Sequence, residues 1–363
     1  MAEKLLIDAL GAAVDIELDD LPADHADAVR DAWRDALTET GEGRPGASVT
    51  PRGADLPGIL STLSQQVTVA AIEARRGQAW MLHAGGLARE DGGVVVLVGP
   101  SGMGKTTAMR RLATTFGYVS DETVLIEPDG EVRPYRKPLS VIEEPSRPKV
   151  QHPPSSLGLR PLPDRPLWFA GIAILDRSPD APDEPRIEEI DLLESIDGLV
   201  SQSSFLTSME APLRTMSVLT ESVGGLHRIR YREADSLLDA VRAVGVTERR
   251  TVPGPAEPET PTGSVAPAGG WRVARADFLD ALVDHARMRV GVLNTDKGPG
   301  STGTVHVLAG IAPTLWRSAE AVTDDELVAA VVAELGPPPQ GDARSVVVAA
   351  VEELVSAGVL TRG

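Results

Sequence analysis

The chain has no cysteine, and only 3% of its 363 residues are aromatic. Without a thiol there is no disulfide, no thiolate nucleophile and no Cys-ligated zinc or iron–sulfur site. The scarcity of rings is compositional and points to no function. Long apolar runs are missing too: nowhere do about 18 apolar residues follow one another, the length a membrane helix needs. The first residues, Met1-Ala2-Glu3-Lys4-Leu5-Leu6-Ile7, lack the basic stretch and apolar core of a secretion signal. A cytoplasmic protein with no membrane partner is expected. Positive charge is also in deficit, with 35 Lys and Arg against 53 Asp and Glu and a net charge of −18. Such a field repels phosphate backbones, so no nucleic acid is expected as a partner. Any anion this protein binds has to be held by local groups.

One stretch is built to do that. Gly99-Pro100-Ser101-Gly102-Met103-Gly104-Lys105-Thr106 is a complete G-x-x-x-x-G-K-T phosphate loop. Before it, Val94-Val95-Val96-Leu97-Val98 reads as a central strand buried on both faces; after it, Thr107 to Phe116 reads as a helix. In that setting the glycines let backbone N–H groups point at phosphate oxygens at the positive end of the helix. Lys105 is expected to reach the β- and γ-phosphates, the Thr106 hydroxyl to hold magnesium, and Gly99, Ser101, Gly102, Gly104 and Thr107 to complete the cradle for ATP.

Around this loop the chain divides into regions. Residues 1–56 read as a small α+β subdomain, with strands at Leu5–Leu10 and Val14–Leu18 and a helix from Ala23 to Leu37 whose Val29, Trp33 and Leu37 share one face. Residues 57–246 alternate helices and strands, which means an α/β nucleotide-binding domain. A helix from Leu60 to Arg75 leads into the strand Trp80-Met81-Leu82-His83. Further on, Gly171-Ile172-Ala173-Ile174-Leu175 reads as a second central strand ending in Asp176. Residues 247–270 are rich in proline with almost nothing to bury, a semi-extended linker. Residues 271–363 form a separate winged-helix-like α+β module. Its first helix opens with the capping box Thr323-Asp324-Asp325-Glu326, carries a stripe of Leu327, Ala330, Val331 and Leu335, and stops at Gly336-Pro337. Its last helix, from Ala343 to Ala357, ends at Gly358.

Phosphoryl transfer needs a carboxylate for the metal and a group that takes the acceptor's proton. Asp121 and Glu122, at the end of the short strand Gly117-Tyr118-Val119-Ser120, and Asp176 stand where open α/β sheets carry functional groups. Asp176 has the context of a Walker B aspartate, and equally that of a turn or helix cap. A lone histidine is usually structural, and His83 by itself reads so.

Taken in order, Leu82-His83-Ala84-Gly85, the turn Glu90-Asp91-Gly92-Gly93, the phosphate loop, and Gly117-Tyr118-Val119-Ser120-Asp121-Glu122 resemble the HPr kinase/phosphorylase family. That family shares its nucleotide fold with phosphoenolpyruvate carboxykinases. Gly130 to Ser140, which includes Arg133-Pro134-Tyr135-Arg136-Lys137-Pro138, is similar to the corresponding segment of HPr-kinase-related proteins from biosynthetic gene clusters, some of which modify peptides. The resemblance implies ATP and Mg2+ as cofactors. It gives Asp121 the duty of general base, Glu122 a metal or supporting role, His83 a supporting role, and Thr106 with Asp176 or Glu122 the magnesium. The family's acidic pair is Asp-Asp, and here its second member is Glu122. Its glutamate signature before an apolar strand has no counterpart in Leu167-Trp168-Phe169-Ala170-Gly171. Arg214, Arg228 and Arg230 are candidates for a basic residue that the family uses beyond that strand. Its catalytic members form oligomers, so a homo-oligomer is also implied.

Residues 271–363 resemble PqqD-like domains, the peptide-recognition elements of ribosomally made, post-translationally modified peptide pathways. The likeness rests on Val305-His306-Val307-Leu308, Ala312-Pro313-Thr314-Leu315-Trp316, Thr323 to Leu327 and Glu352 to Leu360. It implies that a precursor's leader peptide adds as a strand to the edge Thr304, Val305, His306, Val307 and Leu308, in a groove walled by the last helix through Val348 and Glu352. Two functions remain open on these grounds. One is an ATP-dependent kinase that phosphorylates a hydroxyl of the captured precursor. The other is a non-catalytic scaffold that presents the precursor to partner modifying enzymes, with a regulatory or vestigial nucleotide site.

Overall fold

The computed structural model describes residues 3–41, 46–99, 105–141, 149–255, 272–294 and 303–363. Within them the protein is a mixed α/β chain that forms two units. The first comprises Met1–Leu192, Gln202–Met209 and Val218–Gly254; the second comprises Leu193–Ser201, Glu210–Ser217 and Pro255–Gly363.

The first unit opens with a hairpin, β1 (Lys4–Ala9) and β2 (Ala12–Glu17), whose two-residue turn places both Leu10 and Gly11 at positive φ. That conformation matches the right-handed twist of the strands. Helix α1 (Ala23–Trp33) follows, then β3 (Gly46–Val49), which pairs parallel to β2, and α2 (Leu56–Ala74), capped by Asp55. Helix α1 stops at Trp33 and a short 3-10 turn takes over, so Leu37 leaves the expected apolar face and is 50% exposed. Ile59, Leu63, Val67 and Ala71 of α2 share one core with Ile7, Val14, Ile16 and Trp33, and with Met81, Leu125 and Tyr135. The boundary expected at residue 56 therefore falls inside a continuous core.

Next come β4 (Trp80–Leu82), β5 (Ala84–Ala88), β6 (Gly93–Val98), α3 (Lys105–Leu112) and β7 (Gly117–Ser120). Four short strands follow: β8 (Val124–Ile126), β9 (Val132–Arg133), β10 (Leu139–Val141) and β11 (Val150–His152). They lead to the long β12 (Trp168–Arg177), β13 (Arg186–Ile190), α4 (Leu192–Ser201), β14 (Ser203–Ser204), α5 (Pro212–Ser222), β15 (Leu226–Tyr231) and α6 (Leu237–Ala243). The main sheet has the order β13-β15-β12-β6-β5-β7. In it β15, β12, β6 and β7 run one way, and β13 and β5 run against them. The C-terminal ends of four strands and the beginning of β5 thus share one edge. All six residues of β6 are buried, as expected of a strand covered on both faces. Helices α3 and α6 cover one face through Met109, Leu112, Leu237 and Val241.

The second unit contains β16 (Val273–Arg275), β17 (Asp280–Asp284), β18 (Arg289–Asn294), β19 (Thr304–Leu308), α7 (Ala312–Ser318), β20 (Glu320–Val322), α8 (Asp324–Leu335), α9 (Ala343–Ser356) and β21 (Leu360–Arg362). They form two three-stranded sheets, β17-β18-β19 and β20-β16-β21, around a core that includes Trp316, Leu327, Val347 and Val351. The capping box at Thr323 and Glu326 is formed as read, but Leu335 at the end of its stripe is 38% exposed. Residues 193–201 and 210–217, expected to belong to the nucleotide domain, group with this module for a physical reason. Asp280, with 1% of its side chain exposed, accepts hydrogen bonds from the Arg214 backbone N–H at 3.1 Å and from Arg214 Nε at 2.6 Å. The absence of a side chain at Gly291 leaves room for Leu193, whose Cδ2 would lie 2.8 Å from an added Cβ.

Candidate functional site

The shared edge of the main sheet collects the residues that the sequence singled out. Gly99 is buried directly after β6, and Lys105 begins α3. Ser101, Gly102 and Gly104 of the expected cradle lie outside the described residues. Thr106 and Thr107 are exposed on the first turn of α3. Helix α3 packs against the sheet with Met109 over Gly85 of β5, where an added Cβ would overlap the Met109 side chain as it stands.

His83 does not continue β4. It occupies the bend between β4, which belongs to a second sheet of order β14-β4-β8-β9, and β5. Its N–H donates to the Gln202 carbonyl at 2.7 Å, and its own carbonyl accepts from Lys105 Nζ at 3.0 Å. Partial desolvation of the ring, followed by the Lys105 ammonium, lowers the imidazole below its ordinary value, against the pull of Glu122 and Asp121. A neutral His83 at pH 7 follows.

Lys105 is 8% exposed. Burial pushes its ammonium down to about 8, while Asp121 and Glu122 pull the other way. The two carboxylates follow β7 in a turn held by Ser120 Oγ, which accepts the N–H groups of Glu122 at 3.2 Å and Thr123 at 3.1 Å. Their side chains have different partners. Asp121 Oδ1 accepts from the hydroxyl of Tyr118 at 2.8 Å, and burial together with Asp121 holds that phenol well above its usual range. Glu122 Oε2 lies 2.8 Å from Lys137 Nζ. Arg136 completes the support: Nη1 donates to the Tyr118 carbonyl at 2.9 Å, and its guanidinium lies 5.9 Å from the centre of the Tyr118 ring.

The structure therefore brings His83, Lys105, Asp121 and Glu122 into one electrostatic cluster. Asp176 enters it only by register. Ile174 pairs with Val98, so Asp176, the penultimate residue of β12, lies two residues further toward the same edge, and it forms an ion pair with Arg230 at 3.4 Å. Of the expected basic candidates, Arg230 is thus paired with Asp176 and Arg214 with Asp280. Among the described residues no group of three or more His, Asp or Glu is arranged to hold a metal ion.

Tyr118, Arg136 and Lys137 were not identified as site residues from sequence. Tyr118 lies three positions before Asp121, a spacing that carries no signal outside a helix. Lys137 is 15 positions beyond its partner Glu122, and only the chain's return through β8 and β9 joins them. A cavity of about 460 Å³ exists elsewhere in the first unit, lined by Arg89, Arg160, Arg242, Phe116 and Pro161 among others. It lies at the opposite end of β5 and β7. Arg89 there donates to the carbonyls of Arg242, Val244 and Val246, and Arg160 to that of Thr115, so these guanidinium groups hold backbone together.

Among the described residues of the second unit, β19 pairs with β18 on one side and stands last in its sheet. Along it Thr304 and Val307 are exposed, Val305 and His306 half-buried and Leu308 buried. On α9 the inward stripe is Val347, Val351 and Leu354, leaving Val348 half-buried and Glu352 exposed. Asn294 Nδ2 donates to the Gly358 carbonyl at 2.9 Å, tying the end of β18 to the turn after α9.

No family model matches this chain, and no curated protein matches it.

Proposed function

We propose that this protein binds ATP at the edge of its main sheet and transfers phosphate to a hydroxyl of a precursor peptide whose leader is held by the second unit. The observation that carries the reading is the meeting of Lys105 with His83, Asp121 and Glu122 at the edge where the phosphate loop begins. Lys105 fits a polyphosphate: its enclosed ammonium has a backbone carbonyl as hydrogen-bond partner, and an anion would offset the desolvation that lowers it. ATP with Mg2+ supplies the phosphoryl group, and Thr106, Asp176 and Glu122 are the residues on this edge with oxygens for the metal. Asp121, oriented by Tyr118, takes the proton of the acceptor hydroxyl as its oxygen bonds to the γ-phosphorus and the bond from that phosphorus to the β,γ-bridging oxygen breaks, with ADP leaving. Neutral His83 serves beside it as a hydrogen-bonding partner. β19, which stands last in its three-stranded sheet among the described residues, is the strand beside which an extended leader would add, and a captured leader raises the local concentration of the acceptor.

A second reading has its own support. Both carboxylates proposed for the metal are paired with cations, Glu122 with Lys137 and Asp176 with Arg230. That arrangement favours a scaffold that presents the precursor to other enzymes and keeps a regulatory nucleotide site. Incubation with γ-labelled ATP and the precursor peptide encoded beside the gene separates the two. Label on the peptide, lost in Asp121→Ala, supports the kinase. Tight peptide binding with no transfer overturns it in favour of the scaffold.

A further inference from the structure

We propose that Lys137 is a positioning residue of the nucleotide site: it holds the Glu122 carboxylate and so keeps Lys105 available for phosphate. The inference rests on the nucleotide-binding half of the reading above and not on catalysis.

The site holds two lysines and two carboxylates, and their pairing is uneven. Glu122 Oε2 is 2.8 Å from Lys137 Nζ, with 10% of the lysine side chain and 35% of the glutamate side chain exposed. Asp121 is held by a neutral donor, the Tyr118 hydroxyl at 2.8 Å. Lys105 has a backbone carbonyl, that of His83 at 3.0 Å, as its hydrogen-bond partner, although both carboxylates lie within electrostatic range of it. An enclosed ammonium beside two carboxylates gains most by pairing with one of them. Two contacts oppose that collapse: the Tyr118 hydroxyl on Asp121 and Lys137 on Glu122.

Glu122 is the more dangerous of the two. Its side chain is longer than that of Asp121 by one methylene, and its backbone follows directly on a turn fixed by Ser120. Without Lys137 its carboxylate loses this ion-pair partner, while the Lys105 ammonium remains within electrostatic range of it. A Glu122–Lys105 pair would neutralise the charge that phosphate needs. Lys137 is itself fixed from behind, since Arg136, the preceding residue, is tied to the Tyr118 and Arg160 carbonyls.

The test is nucleotide binding by titration calorimetry in EDTA, so that no metal role of Glu122 enters, with folding checked by circular dichroism. Lys137→Met is expected to weaken ATP binding on the order of tenfold. Lys137→Arg keeps the pair and the affinity. Glu122→Gln removes the carboxylate that needs holding, so adding Lys137→Met to it leaves ATP affinity within about twofold. A direct phosphate contact by Lys137 would make the double variant as weak as Lys137→Met, and that result overturns the proposal. So does a Lys137→Met protein that binds as tightly as wild type. If wild type itself fails to bind ATP, the nucleotide reading falls first, which the wild-type titration alone reveals. Should Lys137→Met not fold, the comparison of Glu122→Gln with the double variant still decides.

Discussion

Gly85→Ala places a methyl group where Met109 already is. The added Cβ would lie 2.2 Å from Met109 Sδ, 2.6 Å from Cγ and 2.9 Å from Cε, all closer than atoms pack. Met109 is fully buried within the core that also holds Leu112, Val95 and Leu97, so moving its side chain aside disturbs that packing. Either Met109 leaves its rotamer or α3 lifts from the sheet. Overpacking of this kind costs about 1–3 kcal/mol. For a unit of this size that is a fall in Tm of roughly 2–10 °C, read by calorimetry. Because Lys105 is the first residue of α3, ATP affinity should fall with stability. Met109→Ala alone opens a cavity and costs about 2–5 kcal/mol. The double variant puts the new methyl into that cavity, so it should be more stable than the sum of the singles by at least about 1 kcal/mol. Additive losses, or a Gly85→Ala protein with unchanged Tm and ATP affinity, would refute the argument that this glycine exists to admit Met109.

Three further outcomes are expected. The Lys105 ammonium is lowered to about 8 by burial, so below that pH it is protonated in both folded and unfolded chains and the folded state bears its desolvation. As pH rises from about 8 toward 10.5, the folded state releases the proton while the unfolded state keeps it, and stability rises. Ligand-free Lys105→Met should therefore melt roughly 2–6 °C above wild type at pH 7, with the gap closing as pH rises; a constant gap contradicts the assignment. Asp280→Ala leaves Arg214 without its buried carboxylate and should destabilise the second unit by about 3–5 kcal/mol in denaturant titrations, whereas Asp280→Ala with Arg214→Met recovers part of the loss. Val307→Asp puts a charge on the exposed edge of β19 and should weaken leader-peptide binding in fluorescence anisotropy while the melting temperature stays nearly unchanged; equal binding argues that the leader docks elsewhere.

Local signals were legible where local physics decides. The β-branched run of β6, the Thr323 capping box and the limits of β19 are set by neighbours in the chain, and sequence placed them. The stripe on α1 was extended one turn too far, to Leu37, because periodicity continues past the point where α-helical hydrogen bonding stops; on α8 the helix runs to Leu335 as read, but that last residue is 38% exposed. β17 was missed because it begins with Asp280, a residue disfavoured in strands. Its carboxylate is tolerated there only because Arg214, 66 positions earlier, meets it. The same distance effect hid Lys137 and the grouping of residues 193–201 and 210–217 with the C-terminal module. The candidate loop could be read from its motif, the acidic pair from its place after a strand, and His83 from the family resemblance, but the partners that tune them could not.

Those partners would let a chain with a net charge of −18 hold the anion proposed for this edge. A bare lysine beside two carboxylates would be neutralised by them, and a distant excess of acid would add to the repulsion of phosphate. Here each carboxylate is held by something other than Lys105: Asp121 by the hydroxyl of a buried tyrosine, Glu122 by a second lysine. Lys105 is left with a carbonyl and an unfavourable desolvation. That desolvation is a cost of the ligand-free state alone, so whatever anion relieves it gains affinity and stabilises the fold in the same step. The Tyr118 hydrogen bond also does what a cation could not. It orients Asp121 without cancelling its charge, which leaves the carboxylate able to accept a proton. A cation on Asp121 and a hydroxyl on Glu122 would reverse the two roles, and the longer side chain would then be the one left negative beside Lys105.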